Sequence, residues 1–242
     1  MKTLAYRAIV VVAIGLAVWA GVWANGGVFG FSWWSWHQKL TVDVQTPAGV
    51  KTASSVSEGS WEIAPTWFKI GDSGGGHGEG WLKGEAVVLE LAPQKYLFAL
   101  LSHYSAETAI QVFANPPLRT DNRREYIPAL ERIASSSDSS TLSAEHYPLL
   151  VTFDDINDPA SVKRVDPANL EAAFGAGYRL NSITLSLTDE PVTKGKVEKV
   201  LPIDFFRRWA DLYHNALAQG GIANSFFNTF AASLGRDDFT TK

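Results

Sequence analysis

From Ala8 to Trp36 the chain carries no charged residue, and Ala8–Ala24 (AIVVVAIGLAVWAGVWA) is almost wholly apolar. A helix apolar on every face needs a large protein core or a bilayer to cover it. A hydrocarbon layer of roughly 30 Å is crossed by about 20 apolar helical residues, and the run supplies them when Gly26–Phe31 contributes. One N-terminal transmembrane helix is therefore expected within residues 8–36, in contact with lipid. Trp33, Trp34 and Trp36 would then stand at headgroup depth, where amphipathic indoles are favoured, and His37 and Lys39 mark the return to water. Lys2, Arg7 and the amino terminus hold that end in the cytoplasm by the positive-inside rule. The rival is a cleaved signal peptide, because Val22-Trp23-Ala24 is a tolerable cleavage site. Both place residues 37–242 outside the cytoplasm.

Past Trp36 there are 19 basic and 25 acidic side chains, a net charge of −6. Such a domain repels phosphate backbones, and no Lys/Arg stripe offsets the repulsion, so nucleic acid is not an expected partner. The absence of cysteine excludes disulfides, thiol catalysis and cysteine-ligated zinc.

Periodicity predicts one α+β domain over 37–242, a mixed or antiparallel sheet followed by C-terminal helices. Leu40–Thr46 alternates as a half-buried strand, Pro47-Ala48-Gly49 turns, and Val50–Ile63 returns as one or two strands. Gly71–Gly80 reads as a loop. Glu85–Leu91 and Lys95–Leu101 form a hairpin whose apolar runs suit strands covered on both faces. Ser105 starts a helix that Asn115-Pro116-Pro117 ends, and Asn122–Ala134 is helical with an interruption at Pro128. Ser135–Ser140 is a spacer, Leu149–Phe153 a buried strand, and Asp166-Pro167 a helix start with its stop at Gly175. Arg179–Thr188 alternates with one register break. Two helices close the chain, one striped by Ile203, Phe206, Trp209, Tyr213 and Leu217, the other by Phe226, Phe230 and Leu234.

The stretch Tyr147–Pro167 (YPLLVTFDDINDPASVKRVDP), followed by Phe174-Gly175 and Ile183–Lys194 (ITLSLTDEPVTK), resembles a group of uncharacterised proteobacterial membrane-anchored proteins. The resemblance implies a bacterial inner-membrane protein with a periplasmic domain. It carries no activity and transfers no functional residues.

Candidate chemistry is sparse. Gly71-Asp72-Ser73-Gly74-Gly75 spells a chymotrypsin-like nucleophile motif, but only His37 precedes it and too little chain lies before Ser73 to build a double barrel. Asp154, Asp155 and Asp158 gather oxygen ligands, yet their spacing fails a calcium loop, and Asp158 reads as the cap of a turn at Pro159. His103 and His146 each lie near a glutamate but lack the partners zinc requires. No catalytic residue, cofactor or metal is assigned.

The expected function is a non-catalytic periplasmic interaction module, tethered to the inner membrane, that meets an envelope protein or a second copy of itself. Trp209, Phe226 and Phe230 are its candidate partner-binding residues. Two alternatives stay open. One is an envelope hydrolase built on the aspartates of 154–158. The other is a small-molecule sensor with a pocket beneath Trp61, Trp67 and Trp81.

Overall fold

The alternation read over Leu40–Thr46 runs through a 15-residue strand, β1 (Ser32–Thr46). A computed structural model describes residues 12, 14, 15, 30–65, 67, 68, 78–102, 104–114 and 126–241. Val12, Ile14 and Gly15 have helical backbone, and the rest of the expected membrane span before Gly30 lies outside the described residues. Among the described residues no helix is long and apolar enough to cross a membrane.

Strand β2 (Gly49–Ile63) returns antiparallel to β1 without a slip, from Thr46 opposite Gly49 to Ser32 opposite Ile63. Trp33, Trp34 and Trp36 are thus strand residues, and the sheet domain starts inside the span expected to be anchor and aromatic boundary. Trp36 is buried, and its indole N–H donates to the Gln38 side-chain oxygen at 2.8 Å. The ring lies over Gly59, directly opposite on β2, where a Cβ would come within 2.6 Å of it. A strand glycine facing an aromatic ring gives that ring a flat place to pack.

The same device extends the sheet into the glycine-rich segment. Strand β3 (Gly78–Glu85) pairs with β2, setting Gly80 opposite Trp61 and Gly78 opposite Ile63. A Cβ at Gly78 or Gly80 would overlap the Trp61 ring. Gly78–Gly80 is therefore strand where a loop was expected, and residues 71–77 lie outside the described residues.

Beyond it come the hairpin strands β4 (Val87–Ala92) and β5 (Lys95–Ala99), turning at Pro93-Gln94. Helix α1 (Ala106–Phe113) has Ser105 as its N-cap residue, with the Ser105 N–H donating to Thr108 Oγ1 at 3.1 Å. Helix α2 (Tyr126–Ser135) takes Pro128 in its first turn, where the missing N–H has no intrahelical acceptor to lose. Residues 122–125 of the expected helix lie outside the described residues. Then follow β6 (Ser139–Thr141), β7 (Leu150–Phe153), β8 (Val162–Arg164), α3 (Glu171–Phe174), β9 (Arg179–Thr188), α4 (Lys196–Val200), α5 (Ile203–Ala218), α6 (Arg236–Phe239) and β10 (Thr240–Thr241).

The fold is α+β with two antiparallel sheets: six strands in the order β10-β3-β2-β1-β9-β6, and four in the order β4-β5-β7-β8. The residues read as a spacer around Ser139 join the large sheet beside β9. The register of β9 on β1 breaks between Asp43 and Val44, so the anticipated break is a bulge that keeps Leu180 on the inner side with Ile183, Leu185 and Leu187. Asp166 accepts from the Ala168 N–H at 2.9 Å in a turn, and helix α3 begins later, at Glu171.

Alternation along the small sheet divides the interior into two cores. Leu89, Leu97, Ala99 and Leu150 face the large sheet and pack with Val42, Trp61 and Ile183. Phe98, Leu100, Val151 and Phe153 face the other way and pack against Phe205, Phe206 and Trp209 of α5 and Phe239 of α6. The small sheet is the middle layer, which explains the nearly continuous apolar runs of its strands.

Glu85 joins these layers. Its buried carboxylate accepts the backbone N–H groups of Gly195, Lys196 (2.8 Å) and Val197 (3.2 Å), the otherwise unpaired donors at the start of α4. Gly195 holds φ +79°, the left-handed conformation that lets the chain turn into the helix.

Candidate binding groove

Helix α5 carries more apolar surface than its packing uses. Phe205, Trp209 and Ala216 are buried, and Leu212 between them is half-buried. A neighbouring stripe of Phe206, Ala210, Tyr213 and Leu217 repeats at helical spacing beside them. Of this stripe only Phe206 is fully covered; Tyr213 is 43% and Leu217 46% exposed.

The segment after α5 does not form the expected second helix. It is three short 3-10 turns, Gly221–Ala223, Ser225–Asn228 and Phe230–Ser233. Extended backbone at Asn224 and Thr229 separates them. Asn224 Oδ1 accepts from the Phe226 N–H at 3.0 Å, while the Thr229 and Ser233 hydroxyls donate to the carbonyls of Phe226 and Phe230 at 2.6 and 2.7 Å. Side-chain hydrogen bonds of this kind compete with a continuous helical ladder. Phe226, Phe230 and Leu234 consequently do not share one stripe.

The turns fold back along α5 and leave a half-open groove of about 270 Å³. Phe206, Trp209, Ala210 and Tyr213 form one wall, and Phe226, Ala231 and Leu234 the other. The walls are tied by the Trp209 indole N–H donating to the Ala231 carbonyl at 3.0 Å. Tyr213 meets Phe227 edge to face, with centroids 5.2 Å apart. Ile222, on the first turn, is 86% exposed.

Among the described residues, the ionisable groups lining the groove, apart from the Tyr213 phenol, are His214 and Arg236. Arg236 reaches Glu198 at a loose 3.8 Å, and its Nε is buried with no acceptor. The groove is thus an aromatic slot with no carboxylate among its described lining residues, on a chain that is acidic overall.

Of the three expected partner-binding residues, Trp209 and Phe226 come together here, with Trp209 serving chiefly as floor. Phe230 packs against the second core, under the Arg164 guanidinium 5.5 Å from its ring. Sequence reading missed Arg236, because nothing in its neighbours marks a cation that folds back to the helix.

The remaining candidates stay apart. Asp158 Oδ1 caps the turn Pro159–Ser161 by accepting from the Ala160 N–H at 2.9 Å, as expected. Asp155 accepts from the Asn157 N–H at 2.9 Å, and Asp154 pairs with Lys163. All three aspartates are exposed. His146 Nδ1 lies 3.0 Å from the Ser143 hydroxyl, while His103 and Ser73 lie outside the described residues. Among the described residues no group of three or more His, Asp or Glu could hold a metal ion. Trp61 points into the core and Trp81, paired opposite Ser60, onto the other face of the sheet, so they cannot roof one pocket. Trp67 stands against Phe31 and Phe68 instead.

No protein-family model matches the chain, and neither curated proteins nor solved structures offer a similar one.

Proposed function

We propose that this protein is a membrane-tethered periplasmic interaction module of the bacterial inner membrane, non-catalytic, and that the groove along α5 receives a segment of an envelope protein. The observation that carries the reading is the half-exposed pair Tyr213 and Leu217, one helical turn apart on α5, with Tyr213 itself lining the aromatic slot. Contiguous apolar surface on a folded domain marks an interaction site more often than chance, and aromatic side chains are enriched where partners meet. A slot beside a helix suits an apolar face presented at helical spacing. The N-terminal apolar run supports the tethered part: anchoring confines the domain to a thin layer and raises its effective concentration toward a partner in the same membrane.

The test is affinity purification of the full chain after extraction in mild detergent. A partner retained by the wild type and lost with L217S supports the proposal. Recovery of the free monomer alone contradicts it.

A further inference from the structure

The point where the described domain begins is wrapped in aromatic rings. Gly30 holds φ +86°, and a Cβ there would lie 3.1 Å from Pro65 and 3.8 Å from the indole nitrogen of Trp67. Phe31, the next residue, has its ring centroid 5.0 Å from Phe68, 6.1 Å from Trp33 and 6.3 Å from Trp67. Trp67 and Phe68 belong to the stretch after β2, far from Phe31 in sequence, yet they close on the residue that leads into β1. The cluster is not a core. Trp67 is 64% and Trp33 52% exposed.

Its position relative to the apolar run is bounded by chain length. Residues 25–29 separate Ala24 from Gly30, and the six residue steps between them span at most about 22 Å even when fully extended. Gly30, at φ +86°, is not part of a helical span, and chain length keeps it within that reach of the end of the apolar run Ala8–Ala24, at the bilayer boundary. Any ring packed on Gly30 shares that depth. Indoles with one apolar body and one N–H are most favourable there, neither in water nor in hydrocarbon.

We propose that Trp67 and Phe68, with Phe31 and Trp33, form a second membrane contact, which seats the domain on the headgroup layer of the bilayer that the N-terminal run enters. It rests on that run being a retained anchor. The surface recognised is the phospholipid headgroup–acyl boundary. Glu62, opposite Trp33 on β2, limits the depth, since a carboxylate is costly in hydrocarbon. The contact gives the tethered domain a fixed orientation.

The chain has no cysteine, so a single introduced one carries a nitrobenzoxadiazole label uniquely. The full chain is reconstituted into phosphatidylethanolamine–phosphatidylglycerol vesicles with the label at W67C or, as the comparison, at I222C. Doxyl groups near the top of the acyl chains should quench the label at position 67 at least about twofold more than that at 222, with a blue-shifted emission. In a second measurement that leaves the fold untouched, dibrominated lipid quenches tryptophan. W67F lowers the quenched fraction and W81F does not. Vesicle flotation separates the contact from the anchor. Protein that floats with its vesicles while position 67 behaves like position 222, or while W67F quenches like wild type, overturns the contact and leaves the anchor standing. Protein that does not float overturns both.

Discussion

The Trp209 indole N–H reaches the Ala231 carbonyl at 3.0 Å across 22 residues of sequence, and this bond holds the two walls of the groove together. The same ring stands edge-on to Phe153, Phe205 and Phe239, between 5.8 and 6.0 Å away. Trp209 therefore builds the groove rather than lining its mouth. W209F keeps an aromatic ring but strands a carbonyl, at about 1–3 kcal/mol. W209A leaves a cavity as well, at about 3–5 kcal/mol. Urea denaturation measures both. L217S, by contrast, should shift stability by no more than about 0.5 kcal/mol while weakening partner retention.

Glu85 makes a second separable prediction. Its carboxylate serves three backbone donors at the start of α4, so E85Q, which offers a single neutral acceptor oxygen, should cost about 1–3 kcal/mol, and E85A more. Amide hydrogen exchange at Lys196 and Val197 should accelerate in both variants before global unfolding does. Unchanged exchange there would show that the cap is not carried by this side chain.

The glycine-to-tryptophan packing of the large sheet predicts non-additivity. G80A forces a methyl group into the Trp61 ring and should destabilise the fold, whereas G80A combined with W61A should cost less than the sum of the two single changes. A coupling of about 1 kcal/mol in a double-mutant cycle is expected, and additivity would contradict the contact.

Burial pushes the Tyr104 phenol above its ordinary value, an effect that the neighbouring Gln38 amide opposes. A raised folded-state value favours the neutral form. The stability it represents is complete below about pH 10, the ordinary tyrosine value, and is lost as pH rises beyond it. Y104F should therefore flatten the fall in stability above about pH 10 that the wild type shows. An identical alkaline profile in the two proteins would contradict the assignment.

The parts of this fold that were legible in sequence are those in which a single strand or turn decides its own state. Leu40, Val42 and Val44 alternate because one face is covered, and Asp158 caps its turn through a bond two residues long. What could not be read depends on a distant residue. Trp36 looks like an interface tryptophan until Gly59 is set opposite it, and Gly78–Gly80 looks like a loop until Trp61 lies across it. Phe226, Phe230 and Leu234 have helical spacing, but the caps at Asn224 and Thr229 reset the backbone between them. The groove was half legible. Its aromatic residues stood out, whereas Arg236 enters only because the chain folds back on α5.

The central claim is that the stripe along α5 meets a partner in the envelope, and site-specific photocrosslinking tests it most directly. A benzophenone side chain is placed at Leu217, at Tyr213 and, as the comparison, at the exposed Lys95, each in the full chain within intact cells. Irradiation should yield one discrete heavier adduct from positions 213 and 217 and none from 95. Uncrosslinked protein alone at 213 and 217, or the same adducts from all three positions, would contradict the account.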